Sequence, residues 1–125
     1  MSHSVKYDAR TGCIETKIQG ELNLEEAQEL IAEIGAVARE RNCFLILGDY
    51  RDAVLTLSTM EIHQIPQILS HTLDLFGVMA RKFKRAIVVA DGLEDFHFYE
   101  TVSRNNGQNI RLFRDIEEAR QWLLG

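Results

Sequence analysis

The stretch Cys43-Phe44-Leu45-Ile46-Leu47-Gly48-Asp49-Tyr50-Arg51-Asp52-Ala53-Val54-Leu55-Thr56-Leu57-Ser58-Thr59-Met60-Glu61 decides the fold. Phe44 to Gly48 is an unbroken apolar run ending at Asp49, the pattern of a parallel strand buried on both faces. Mixed charge at Tyr50, Arg51 and Asp52 then predicts a loop from Asp49 to Ser58. Ser58 followed by Glu61 reads as a capping box that opens a helix. In open α/β sheets the region beyond a strand's C-terminal end is where ligands and switches are placed. Asp49, Arg51, Asp52, Ser58 and Thr59 are therefore candidate binding residues.

On the N-terminal side, Val5–Tyr7 and Cys13–Gly20 read as the arms of a hairpin turned at Arg10-Thr11-Gly12. Ile14, Thr16 and Ile18 share one face of the second arm, with Glu15 and Lys17 on the other. Asn23 with Glu26 opens a helix whose apolar face is Leu24, Ala27, Leu30, Ile31, Ile34, Val37 and Ala38, ending at Arg41-Asn42.

On the C-terminal side, the helix from Ser58 carries Ile62, Ile65, Ile68, Leu69, Leu73 and Phe76 at apolar positions and stops at Gly77. Pro66 lies inside it, which predicts a kink or break near Ile65. Arg85 to Ala90 is a further buried strand, and Asp91 with Glu94 starts a helix through Phe96, Tyr99 and Val102. Asn105-Asn106-Gly107 ends it, Ile110–Phe113 is a last short strand, and Asp115 with Glu118 caps a final helix bearing Ile116, Ala119, Trp122 and Leu123. The order is β-β-α-β-α-β-α-β-α. It predicts one α/β domain over residues 1–125, with a mixed, mostly parallel sheet of about five strands, an antiparallel N-terminal hairpin and about four helices.

The 125 residues suffice for one domain, with 46% hydrophobic and 26% charged residues. A net charge of -5 argues against nucleic-acid binding, which needs a clustered basic excess. The one dense basic run, Arg81-Lys82-Phe83-Lys84-Arg85, reads as a polar connector into a strand. No apolar run is long enough for membrane insertion and the N-terminus lacks a secretory h-region. Cys13 and Cys43 lie outside any CxxC arrangement, which suits a reduced, cytoplasmic setting.

Chemistry-bearing motifs are sparse. His3, His63, His71 and His97 show no metal-binding spacing, and no nucleophile elbow, phosphate loop or dinucleotide fingerprint occurs. Asp49 and Asp91 both follow buried strands, but the further acidic pair and lysine of a phospho-accepting Mg²⁺ site are lacking. The expectation is therefore no catalytic residue, no metal and no cofactor. Leu73, Leu75, Phe76, Val78, Met79 and Phe83 exceed the needs of one helix face. They point to a tucked helix end, a homodimer surface or the mouth of an apolar pocket.

The element order, Gly20-Glu21-Leu22, Phe44–Asp49, Lys84–Asp91 and the tail Arg111–Leu123 resemble the STAS fold of anti-sigma-factor antagonists, and more closely the SpoIIAA-like family of small bacterial proteins. In those antagonists an Asp-Ser-Ser-Gly-like segment after the central strand is phosphorylated by a partner kinase. The resemblance implies the same role for Ser58 or Thr59, with Leu57 and Met60 standing where that motif has Asp and Gly. The SpoIIAA-like branch is also similar to lipid-binding Sec14-type domains. Two functions follow as expectations. One is a non-enzymatic regulatory module that docks a protein partner, or itself, around the Asp49–Glu61 segment. The other is a carrier or sensor of a small apolar ligand beneath the second helix, at Ile62, Ile65, Leu69 and Phe76.

Overall fold

Alternating strands and amphipathic helices fold into a five-stranded sheet flanked on both faces by helices. The structure is a computed structural model that describes residues 2–90 and 93–125, with Leu93 described by its backbone alone. The elements run β1 Ser2–Asp8, β2 Cys13–Leu22, α1 Leu24–Arg41, β3 Leu45–Leu55, α2 Thr59–Leu75, β4 Lys84–Val88, α3 Leu93–Asn105, β5 Asn109–Phe113 and α4 Ile116–Leu124. A single 3₁₀ turn, Ala80–Lys82, joins α2 to β4. The predicted order and hairpin stand. The expected cap at Asp91 lies outside the described residues.

Strand order in the sheet is β1-β2-β3-β4-β5, with β1 antiparallel to β2 and every other pairing parallel. Right-handed crossovers that always step in one direction put their helices on one face. Accordingly α1 packs on β1 and β2, α2 lies between α1 and α3, and α3 packs on β5. The chain then passes to the opposite face, where α4 covers β3, β4 and β5. The order never reverses, so this sheet has no switch-point crevice of the kind that holds ligands in doubly wound folds.

The main core lies between the sheet and α1–α3. Ile14, Ile18, Ile46, Tyr50, Ile87, Val89 and Ile110 point up from the strands into Leu30, Ile34, Ile65, Leu69, Leu73 and Phe96. A smaller cluster, Cys13, Leu47, Ala86, Val88, Ala119 and Leu123, lies under α4. Phe83 is 2% exposed and meets Phe44 edge-on, with centroids 5.4 Å apart. Of the crowded apolar segment after Ile68, Leu73, Val78 and Phe83 are buried, while Leu75 and Met79 stay exposed.

Three local expectations are corrected. The predicted loop from Asp49 is strand: β3 continues to Leu55, pairing Gly20, Glu21 and Leu22 of β2 with Ala53, Val54 and Leu55. A register shift between Lys17 and Gln19 lets the two strands stay paired through the charged stretch. Only Thr56, Leu57 and Ser58 connect β3 to α2. Second, of the kink or break expected near Ile65 the break is absent, since α2 runs through Pro66 as one helix. Third, the basic run is not wholly a polar connector, because Arg85, expected as the first residue of the buried strand, is itself only 7% exposed. Arg85, Ile87 and Val89 alternate onto the three-helix face, while Ala86 and Val88 face α4.

Candidate functional site

The start of α2 is held by two reciprocal bonds. Glu61 N donates to Ser58 Oγ at 3.2 Å, and Ser58 N donates to Glu61 Oε1 at 2.9 Å. Ser58 thus serves the cap, whereas Thr59 occupies the first helical position outside that pair of bonds. Next to them Met60 is 68% exposed, and Val54 near the end of β3 is 60% exposed. The α1 cap is simpler, since Asn23 Oδ1 accepts from Glu26 N at 2.9 Å.

Asp49 and Arg51 form a separate group. Arg51 donates to both carboxylate oxygens of Asp49, Nε and a terminal nitrogen each at 2.9 Å. This fork holds the Asp49 carboxyl below its usual range against the opposing effect of burial. Six residue-to-residue steps along the strand, at about 3.3 Å each, separate Asp49 from Leu55. The structure therefore does not bring Asp49, Arg51 and the exposed Asp52 together with Ser58 and Thr59. Ile62 and Ile65 point inward from α2. Phe76 caps the other end of that helix against Gly35 of α1, where an added Cβ would stand 2.8 Å from its ring.

A third location is the apolar site expected beneath the second helix, but with polar members the sequence did not indicate. Between the sheet and α1–α3 lies a cavity of about 50 Å³, apolar except at one end. Ile65, Leu69 and Phe96 form part of its wall, and Tyr50, Arg85 and Tyr99 supply its polar atoms. Ile62 and Phe76 are not among its lining residues. The Arg85 guanidinium donates to Tyr99 Oη at 2.9 Å and to Gln108 Oε1 at 2.9 Å. Gln108, 4% exposed, in turn donates its amide N–H to the Pro66 carbonyl at 3.0 Å. Burial pushes Tyr50 ionisation far up, and nearby Arg85 only partly offsets this. Tyr50 was hidden by reading the charged stretch after Asp49 as loop, and Arg85 by grouping it with the polar basic run before its strand. Strand parity was the available signal, because Arg85 falls on the same face as Ile87 and Val89.

The opposite face carries a polar groove of about 420 Å³ beside α4, lined in part by Lys6, Asp8, Glu15, Lys17 and Asp49. Desolvation, together with a hydrogen bond to Asp8, raises the Glu15 carboxyl. Among the described residues no group of three His, Cys, Asp or Glu side chains is placed to hold a metal ion. No helix of the described residues is long and apolar enough to cross a membrane. Cys13 and Cys43 are free thiols, both buried.

This arrangement, a single-direction mixed sheet with three helices on one face and a C-terminal helix on the other, is the SpoIIAA-like, STAS-type fold. Solved structures bear this out along the whole chain. An anti-sigma factor antagonist from Mycobacterium paratuberculosis superposes with a TM-score of 0.63 at 15% identity, covering 99% of this chain and 96% of that one. An uncharacterised DUF3478-family protein with a SpoIIAA-like fold from Shewanella loihica gives 0.60 at 16% identity, over 98% and 92% of the two chains. The anti-sigma factor antagonist SpoIIAA in its unphosphorylated form gives 0.56 at 12%, over 99% of each. No family model and no curated protein sequence matches the chain.

Proposed function

We propose that the protein is a non-enzymatic, cytoplasmic regulatory module that works by docking a protein partner at the start of α2. The observation carrying this reading is the presentation of Thr59 and Met60 on a helix terminus whose capping box is already closed by Ser58 and Glu61. Side chains there are free to make contacts without loosening the fold. The likeness to anti-sigma-factor antagonists supports a protein as partner, and one such structure is of a Bacillus SpoIIAA in phosphorylated form. A phosphate added at Thr59 would meet the positive end of the α2 dipole. At Ser58 it would instead crowd the Glu61 carboxylate. Thr59 is therefore the better phosphorylation candidate of the two. The test is incubation with ATP and lysate of the host, followed by peptide mass spectrometry and pull-down with wild type and Met60→Glu. The reading requires a partner retained by wild type and lost in the variant. Phosphate on neither Ser58 nor Thr59 removes the switch, and retention of every partner by Met60→Glu removes the docking surface.

A second reading, the carrier or sensor of a small apolar ligand, is favoured by the cavity beneath α2.

A further inference from the structure

We infer that the cavity between the sheet and α2–α3 binds a short-chain monocarboxylate, with Arg85 as the carboxylate's counter-charge. This rests on the second reading above and supplies the chemical class of the ligand. Arg85 is the observation that carries it. A guanidinium stays charged in proteins, and taking it out of water is strongly unfavourable unless an anion meets it. Arg10, Arg51, Arg104 and Arg120 each pair with a carboxylate. Arg85 is far more buried than these, yet among the described residues its side-chain bonds go to two neutral groups, the Tyr99 hydroxyl and the Gln108 amide oxygen.

Those two bonds orient the guanidinium rather than neutralise it. Two of its five N–H donors are engaged by them, and the group lines the cavity. The Tyr99 ring also lies 5.8 Å from the guanidinium carbon. A carboxylate matches the guanidinium fork in shape and charge. The rest of the wall is Ile65, Leu69, Phe96 and similar side chains, which reward an apolar tail and penalise a second charge. Size sets the tail length. An about 150 Å³ cavity holds the six heavy atoms of benzene, so about 50 Å³ holds about two. Acetate and propionate, with four and five heavy atoms, therefore enter only with a small outward adjustment of the wall, whereas a long acyl chain would require α2 to move much further.

The test is titration of the intact protein with propionate, propionamide and inorganic phosphate, followed by NMR of the Arg side-chain N–H and Tyr99 signals. Propionate is expected to bind saturably, shift the Arg85 N–H signal, and bind about tenfold or more tightly than propionamide, its neutral isostere. Phosphate is expected to bind much more weakly, because the apolar wall cannot solvate a dianion. Arg85→Gln should abolish the preference for propionate over propionamide. Should that variant fail to fold, the wild-type ratio alone decides. Equal binding of propionate and propionamide overturns the role of Arg85 while leaving an apolar ligand site standing. No saturable binding by either overturns both, and leaves the cavity as a water-filled space around the guanidinium. Phosphate binding as tightly as propionate overturns the monocarboxylate class.

Discussion

The two faces of the sheet solve the same burial problem with unequal means. Three helices close one face over Ile14, Ile46, Ile87 and Phe83, and that side carries a buried arginine and a cavity. On the other, the nine-residue α4 covers only β3 to β5, leaving Glu15, Lys17 and Asp49 along a polar groove. Lys84 fastens α4 by donating to the Trp122 carbonyl, with its ammonium 4.6 Å from the centre of the Trp122 ring. The two faces therefore differ in what their cores tolerate. The larger core can carry an unfavourable buried charge, while the smaller one has no such reserve.

Truncation separates the two faces most directly. Phe83→Ala should cost about 3–5 kcal/mol, the range for a large aromatic removed from a packed core. Leu123→Ala under α4 should lie near the lower end of the about 2–5 kcal/mol expected for leucine, since the helix end can settle into the gap. Urea unfolding of both variants ranks the faces, and a larger loss for Leu123→Ala reverses the ranking. Next in size, Ser58→Ala should lose about 1 kcal/mol through its cap, while Thr59→Ala should be nearly neutral. Thermal melts of the pair separate the cap from the surface proposed for docking.

The smallest effect concerns the groove. Because the Glu15 carboxyl is raised in the folded state, folding holds its proton more tightly than the unfolded chain does. Stability from this group therefore falls as pH rises from about 4.5, the unfolded reference, through the folded value. Glu15→Gln is expected to be slightly more stable than wild type at pH 7, with the gain vanishing below pH 4.5. Asp49, held low by Arg51, has the opposite sign: its contribution is present above 3.8 and is lost as pH falls through the folded value. Melting curves of Glu15→Gln across this range check both the sign and the window.

Element order and the caps at Asn23 and Ser58 were legible because local patterns and tertiary structure agree there. Residues 49–55 were not, since Arg51-Asp52 suggests a loop only when a strand is assumed to need burial on both faces. Past Val88 no β4 residue pairs with β3, so this stretch is a strand with exposed positions, and Tyr50 alone of its first half turns fully inward. Pro66 misled only in suggesting a break. Its ring is buried and α2 continues past it, with Gln108 binding its carbonyl from 42 residues away. A contact so distant in sequence leaves no local trace. The candidate site was legible in part: the sequence indicated Ile65 and Leu69, but an arginine closing a basic run at the start of an apolar strand looked like punctuation.

The monotonic strand order has a consequence for how the chain comes to be folded. Every strand's neighbour in the sheet is also its neighbour in the sequence, so each pairing closes a span of no more than one helix and its connections. During synthesis the N-terminal hairpin can form first and serve as the template on which β3, β4 and β5 are laid in the order they emerge. No strand has to be inserted between two already paired. Release of the last segment, α4, then closes the second face, and a nascent chain halted before Ile116 is expected to hold the larger core with Leu47, Ala86 and Val88 uncovered.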